Sequence, residues 1–290
     1  NSVDNTNKFI GDVNNCLINT KVKISSAEAE QAEVKPQKND TSSVGSGKAQ
    51  YSLEAIIVDK QTNATVVQSN QITFQYQAER TIQQNIDMRI SSPTLWSPSN
   101  PYLYELVVRI KKNGVIIDEY SKSIAFTNLT INKDDNQYSF FLNGTPFVMK
   151  GIEYYENCNF SSYEQMKKQL EQDVVLIKSL GANLIRIKNF APNPYLIELC
   201  NKYGLFIIID IPANCIPSAI LATDEISVRL KNIADRMISS FNSNVSLIAW
   251  GISSGIIENS PEFNAYSKLI INLIRANSDK YIYKEIDLSA

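Results

Sequence analysis

The feature that most constrains the fold is a regular alternation of apolar strands and amphipathic helices in the second half of the chain. Consecutive strands that are joined by helices lie parallel in one sheet, with the helices packed on its faces. The predicted strands are residues 147–152, 183–189, 205–210, 246–250 and 281–286. The pattern therefore predicts a parallel α/β domain.

Helix-boundary signals agree with this pattern. Ser162 followed by Gln165 forms a capping box ahead of an amphipathic segment. Gly204 stops a second helix, because a glycine accepts the left-handed backbone found just after many helices. A third helical face runs through 225–241, and Pro261 occupies the first position of a fourth helix. The helices thus fall between the predicted strands.

The first half of the chain has a different period. Short segments alternate apolar and polar residues over 1–128, and polar turns separate them. Residues 102–126 are typical of a hairpin, with Asn113 and Gly114 at its turn. Many short strands at this spacing predict an antiparallel sandwich of two sheets.

Composition excludes several function classes. The chain has no histidine, which rules out Ser-His-Asp and Cys-His catalysis and zinc sites built on histidine. Its four cysteines form no Cys-x-x-Cys pair and are expected to be free or buried thiols. Neither a metal nor a cofactor is expected. The net charge of −2 argues against nucleic acid as a partner. No apolar run of about 18 residues predicts a membrane span.

Five ordered motifs resemble glycoside hydrolase family 2, which contains β-galactosidases, β-glucuronidases and β-mannosidases. They are LWSPSNPYLYELVV (95–108), FFLNGTPFVMKGI (140–152), LGANLIRIKN (180–189), LCNKYGLFIIIDIP (199–212) and SLIAW (246–250). The resemblance implies an immunoglobulin-like β-sandwich domain over residues 1–130. It implies a partial (β/α)8 TIM barrel, about strands one to five, over 131–290.

The resemblance also implies where catalysis would lie. The family's fourth barrel strand ends in Trp, three residues and then Asn-Glu, and that Glu is the general acid/base. Aligned on Trp250, the Asn position is Ser254 and the Glu position is Gly255. The nucleophile belongs to a seventh strand that is expected outside this chain. Because retaining hydrolysis needs two carboxyl groups about 5–5.5 Å apart, the chain is predicted to be catalytically degenerate.

Two alternatives remain beside a degenerate carbohydrate-binding protein. One is an active glycosidase whose remaining barrel lies outside this chain. The other is a non-catalytic protein-interaction module. A barrel mouth plugged by Tyr154, Tyr155 and Trp250 would favour the interaction module, whereas aromatic and polar groups clustered at the mouth would favour sugar binding.

The candidate substrate-binding residues follow the ends of the predicted strands, where such barrels do their chemistry. The family's usual Asn-Arg-His-Glu after strand one is here Glu153-Tyr154-Tyr155-Glu156. Its Arg-x-x-His on strand two is here Arg186 with Asn189 in the histidine position. The candidates are Glu153, Tyr154, Tyr155, Arg186, Asn189, Asp210, Trp250 and Glu285.

Several of these candidates also have a structural interpretation. Arg186 is placed to form an ion pair inside the barrel with Asp210 or Glu153. Trp250 either stacks on a sugar ring or fills the core. The two tyrosines either bind sugar or pack in a loop.

The partner predictions follow from the number of strands. A closed barrel needs eight strand–helix units, and the residues after Pro146 have room for five strands and four helices. Strands 147–152 and 281–286 would leave open edges. A second copy of the chain in a homodimer, or missing C-terminal barrel strands, would cover them. A carbohydrate is the expected ligand, and an extracytoplasmic compartment is favoured.

Overall fold

The computed structural model describes residues 2–9, 14–24, 50–75, 81–134, 137–156, 160–214, 216–221, 223–253 and 260–284. It divides into two compact units. The first unit comprises Asn1–Pro93 and Tyr104–Ile124, and the second comprises Thr94–Leu103 and Ala125–Ala290. Residues 94–103 therefore belong structurally with the second half of the chain.

The first unit is built from two antiparallel sheets. One has the order β1-β2-β6, and the other has the order β4-β3-β7-β8, with β5 also paired to β3. The strands are β1 (Ser2–Phe9), β2 (Asn15–Ile24), β3 (Tyr51–Asp59), β4 (Thr65–Gln68), β5 (Ile72–Phe74), β6 (Ile82–Ser91), β7 (Tyr104–Lys112) and β8 (Val115–Ile124). This arrangement confirms the predicted sandwich.

Local sequence explains the sandwich's pairing. Along β2, buried residues alternate with more exposed ones, as a strand with one face on a core requires. Asn113 and Gly114 have φ values of 51° and 83°. This left-handed pair makes the tight turn that joins β7 to β8.

The second unit contains a small antiparallel sheet and a larger parallel one. The small sheet has the order β11-β10-β9, and the parallel sheet has its five strands in chain order from β12 to β16. The strands are β9 (Leu129–Asp134), β10 (Gln137–Leu142), β11 (Thr145–Phe147), β12 (Gly151–Tyr154), β13 (Leu184–Ile187), β14 (Phe206–Asp210), β15 (Leu247–Gly251) and β16 (Tyr281–Tyr283).

Helices connect the parallel strands. They are α1 (Tyr163–Ser179), α2 (Pro194–Tyr203), α3 (Ser218–Leu221), α4 (Asp224–Phe241) and α5 (Pro261–Asn277). The partial TIM barrel is confirmed, and within the described residues β12 and β16 end the sheet without pairing to each other. No described helix combines the length and the apolarity that a membrane span needs.

Several details differ from the sequence prediction. The short helix α3 makes five described helices where four were expected, and two further differences concern element boundaries. The strand expected at 147–152 is divided, because Phe147 ends β11 in the small sheet and β12 begins only at Gly151. The capping box is also shifted by one residue. Ser162 Oγ accepts from the Gln165 backbone N–H at 3.2 Å, but the Gln165 side chain accepts from Ser161 N–H at 3.0 Å.

The helix-facing side of the parallel sheet carries the larger core. Side chains of the strands interlock there with α1, α2, α4 and α5. Fully buried strand residues on this side are Ile185, Ile187, Ile207, Ile209 and Trp250. At about 25 cal/mol per Å² of apolar surface, this layer is the main source of the unit's stability.

The opposite side of the sheet is filled at its amino-terminal end. Trp96, from the segment 94–103, packs its ring 5.0 Å from that of Phe206, and Phe147 approaches the same ring edge-on at 5.8 Å. Trp96 Nε1–H donates to the Asn201 carbonyl at 2.9 Å. These contacts leave the carboxyl end of the same side for polar residues.

Candidate functional site

A buried ion pair lies at the carboxyl end of the parallel sheet. Arg186 on β13 points to the side opposite the helices and donates to the Asp210 carboxylate on β14, with NH2–Oδ2 at 2.7 Å and Nε–Oδ2 at 3.1 Å. Asp210 is fully buried, and the Arg186 side chain is 11% exposed. The Arg186 Nε–H also reaches Oδ1 at 3.3 Å, so two guanidinium nitrogens contact both carboxylate oxygens and fix the relative orientation of the two side chains.

Gly251 explains how the Asp210 carboxylate fits between the strands. Asp210 and Gly251 are paired in register on β14 and β15. A Cβ atom at Gly251 would lie 1.8 Å from Asp210 Oδ1. The carboxylate therefore occupies the volume that any other side chain at position 251 would need.

Glu153 extends the ion pair into a cluster. It is in register with Arg186 across β12 and β13. Its Oε1 accepts from Lys188 Nζ at 2.5 Å and lies 3.7 Å from Arg186 NH1. Its Oε2 accepts from the Tyr155 hydroxyl at 3.4 Å. Hydrogen bonding from Lys188 is the largest of the effects that hold the pKa of Glu153 below its ordinary value.

An aromatic ring borders the cluster on the far strand. The Arg186 guanidinium carbon lies 4.5 Å from the centroid of the Tyr283 ring, and NH1 is 3.5 Å from the Tyr283 hydroxyl. Tyr283 ends β16, three strands away from β13. The cluster therefore spans the whole sheet, and Tyr283 and Tyr155 are its exposed aromatic members, at 36% and 58%.

Two aromatic candidates lie on the helix-facing side instead. Tyr154 is buried in the helix-facing core, where its hydroxyl donates to Asp173 on α1 at 2.7 Å. Burial raises the pKa of that hydroxyl. Trp250 is fully buried in the same core, and its Nε1–H donates to Ser278 Oγ at 3.2 Å. Neither ring offers an exposed face to a ligand.

The remaining predicted positions lie outside the cluster or outside the described residues. Asn189 follows β13 with φ of 75°, a left-handed conformation that asparagine tolerates. Glu156 accepts from the Asn193 backbone N–H at 3.0 Å, at the start of α2, and desolvation raises its pKa. Ser254, Gly255 and Glu285 lie outside the described residues.

Two family models match the chain in order. Residues 3–126 match glycosyl hydrolases family 2, and residues 134–277 match the TIM barrel domain of glycosyl hydrolases family 2. The chain belongs to glycosyl hydrolase family 2. The order of the two matches agrees with the sandwich and the open parallel sheet described above.

Curated relatives of this family 2 chain are longer proteins. It is 30% identical to a beta-galactosidase of Vibrio cholerae over 122 residues. The matched stretch covers 42% of this chain and 12% of that protein. It is 28% identical over 127 residues to a beta-galactosidase of Halalkalibacterium halodurans, with 43% and 12% coverage. The chain thus spans about an eighth of the length of these two relatives.

Solved family 2 structures share the fold. A glycosyl hydrolase family 2 member from Bacteroides cellulosilyticus superposes with a TM-score of 0.78 at 18% identity, over 99% of this chain and 35% of that one. A Bacteroides uniformis beta-glucuronidase gives a TM-score of 0.78 at 18% identity, over 98% and 33%. At these identities the likeness concerns the fold alone.

Three members of the cluster were missed by sequence reasoning. Lys188 lies two residues beyond Arg186, so strand alternation already places both on one face. Gly251 follows the apolar strand directly, and Tyr283 lies inside a predicted strand. Among the described residues no group of three or more Cys, Asp or Glu side chains could hold a metal ion.

Proposed function

We propose that this chain binds carbohydrate at the carboxyl end of its parallel sheet and does not hydrolyse glycosides by itself. The observation that carries the proposal is the cluster on the side of the sheet opposite the helices. There the carboxylates of Glu153 and Asp210 are both held in ion pairs, and two exposed tyrosines stand beside them.

Neither clustered carboxylate suits the role of a general acid. A proton donor at neutral pH needs a pKa raised toward 7 and access to the leaving oxygen. Asp210 is fully buried against Arg186, and the pKa of Glu153 is lowered. Glu156 has a raised pKa, but its carboxylate is bound at the start of α2.

The sequence supports the same conclusion at the family's acid/base position. Gly255 stands there and has no side chain, and Ser254 stands in the neighbouring asparagine position. A serine hydroxyl does not donate a proton as an acid near neutral pH without an activating base.

The arrangement of aromatic residues favours a sugar over a protein-interaction module. Tyr154 and Trp250 are buried in the helix-facing core, so they do not pack with Tyr155 on the side of the sheet opposite the helices. The exposed rings of Tyr155 and Tyr283 accompany polar groups. Carbohydrate sites commonly combine an apolar platform with a few placed polar groups.

A second candidate function is glycosidase activity in a chain with further barrel strands. The observation that favours it is the small share of each relative that this chain covers, 12% for both beta-galactosidases described above. In that case the acid and the nucleophile would both come from residues outside this chain.

The test combines hydrolysis and binding on the purified chain. Aryl galactosides, glucuronides, mannosides and glucosides should give no turnover above background, while ligand-observed NMR should detect binding of methyl pyranosides. The Ser254→Asn/Gly255→Glu variant tests whether the acid position alone limits activity. Turnover by the unmodified chain that disappears in Glu153→Gln or Asp210→Asn would contradict the proposal.

A further inference from the structure

The charge balance of the cluster bears on which sugars it accepts. Two carboxylates, Glu153 and Asp210, face two cations, Arg186 and Lys188, and each cation is held by a carboxylate at 2.5–2.7 Å. A third cation nearby, Lys284, lies over the Phe263 ring at 4.8 Å. In the described part of this edge, the cations are therefore engaged within the protein.

Among the described residues of the cluster, the charge that is exposed is negative. Asp210 is fully buried, and the Arg186 and Lys188 side chains are only 11% and 12% exposed. The Glu153 side chain is 47% exposed. Its Oε1 faces both cations, whereas among the described residues its Oε2 has only the long 3.4 Å bond from Tyr155. An incoming ligand therefore meets a carboxylate oxygen that can accept another hydrogen bond.

We infer that Glu153 is a specificity-determining residue that selects uncharged pyranosides and rejects uronic acids. The inference rests on the proposed carbohydrate-binding role. An ionised carboxylate accepts hydrogen bonds from neighbouring sugar hydroxyls. A uronate carboxylate in the same place meets a like charge, and the two adjacent cations are already neutralised.

The strand register fixes the place of Glu153, since it lies directly opposite Arg186 on the neighbouring strand. Here the position carries a carboxylate that Lys188 keeps ionised, since its hydrogen bond favours the charged form. The negative charge is thus a property of this sequence and of the contact with Lys188.

The experiment compares three matched ligands by ligand-observed NMR titration at pH 7. They are methyl β-glucopyranoside, methyl β-glucuronate and the uncharged methyl β-glucuronamide. We expect the glucopyranoside and the glucuronamide to bind with similar dissociation constants, and the glucuronate to bind about tenfold more weakly. The amide isolates charge from shape, since it is nearly isosteric with the uronate.

Two variants test whether Glu153 causes the preference for uncharged ligands. Glu153→Gln keeps an acceptor oxygen but removes the charge, so the preference for the uncharged ligands should fall from about tenfold to about twofold or less. Glu164→Gln is the matched control. Glu164 is an exposed glutamate on α1 that pairs with Lys167 at 3.0 Å, and its substitution should leave the preference unchanged.

The possible outcomes separate the two proposals. Equal binding of all three ligands, or tighter binding of the glucuronate, overturns the specificity inference and leaves the carbohydrate-binding role intact. A preference that Glu153→Gln does not change also overturns it. Absence of binding by every ligand overturns the carbohydrate-binding role and the specificity inference together.

Discussion

The two faces of the parallel sheet differ in chemistry although the same strands build both. Toward the helices, Ile185, Ile187 and Ile209 are fully buried. The other side carries Arg186, which lies between Ile185 and Ile187, and Asp210, which follows Ile209, and these two form the buried ion pair. Because successive residues of a strand point to opposite faces of the sheet, the same strands carry an apolar core on one face and a polar cluster on the other.

The polar face is itself divided along the strands. Its amino-terminal end is apolar, where Trp96 packs on Phe206, and its carboxyl end carries the Glu153–Arg186–Asp210 cluster. The helix-facing side shows no such division, since Tyr154 and Trp250 continue its core to the carboxyl ends of β12 and β15. A ligand site is therefore expected at the carboxyl end of the face opposite the helices, where the apolar packing ends.

Removal of Trp96 should have the largest effect on stability. Trp96→Ala leaves a cavity at the amino-terminal end of the face opposite the helices, where Trp96 is fully buried. The substitution should lower the free energy of unfolding by about 3–5 kcal/mol. Trp250 is then the only tryptophan, so urea unfolding followed by its fluorescence reports on this unit directly.

The control for this prediction is Tyr163→Ala. Tyr163 is 62% exposed on α1, and its loss should change the free energy of unfolding by less than about 0.5 kcal/mol. A loss under about 1 kcal/mol in Trp96→Ala would show that the apolar end of this face is not a true core.

Breaking the buried Arg186–Asp210 ion pair should have the second largest effect on the free energy of unfolding. Arg186→Met leaves the Asp210 carboxylate fully buried without its guanidinium and should cost about 3 kcal/mol. The double variant Arg186→Met/Asp210→Leu should recover most of this loss, because the uncompensated charge is gone. Urea unfolding of both variants measures the difference.

A surface ion pair provides the matched comparison. Lys202 pairs with Glu171 at 3.2 Å, with side chains 60% and 40% exposed. Lys202→Met should cost less than about 1 kcal/mol. An equal loss in Arg186→Met and Lys202→Met would mean that the Arg186–Asp210 pair behaves as a solvated one.

Much of the fold could be predicted from the sequence. The parallel order follows from the strand–helix alternation, and the hairpin at Asn113–Gly114 follows from its left-handed turn. The division of residues 147–152 could not be predicted. The Asn143–Gly144 turn places Thr145 opposite Leu142, so β11 ends at Phe147 before the parallel sheet starts.

The candidate site was harder to predict. Strand ends identified Glu153, Arg186 and Asp210, because parallel strands bring their carboxyl ends to one edge. The sequence did not show which face Trp250 would take, since an apolar strand buried on both sides has no visible alternation. The contact between Arg186 and Tyr283 depends on how the sheet curves, which no local pattern reports.

Gly251 tests the packing of the cluster with a smaller change. Gly251→Ala puts a methyl group where Asp210 Oδ1 lies, so the carboxylate must move away from Arg186. We expect a loss of about 1–3 kcal/mol in the free energy of unfolding. In the Asp210→Ala background the same substitution should cost less, since the conflicting oxygen is absent. Equal costs in both backgrounds would show that the two residues do not conflict.

The smallest expected effect concerns two glutamates at the carboxyl end of β12, Glu153 inside the strand and Glu156 two residues beyond it. Lys188 lowers the pKa of Glu153 from the ordinary value of 4.5, and desolvation raises that of Glu156 from the same value. The stabilising contribution of ionised Glu153 is therefore present above pH 4.5 and lost as the pH falls through its lowered pKa. For Glu156 the contribution is present below pH 4.5 and lost as the pH rises through its raised pKa.

Carboxyl carbon shifts followed by NMR from pH 2 to pH 8 should show Glu153 titrating at lower pH than Glu156, with Glu153→Gln and Glu156→Gln assigning the two signals. Because the Glu153 side chain is 47% exposed, Glu153→Gln should cost less than about 1 kcal/mol at pH 7. Glu156→Gln should be neutral or slightly stabilising there, since it removes a desolvated charge. A reversed titration order would mean that Lys188 does not hold Glu153, and the negative edge of the cluster would lose its basis.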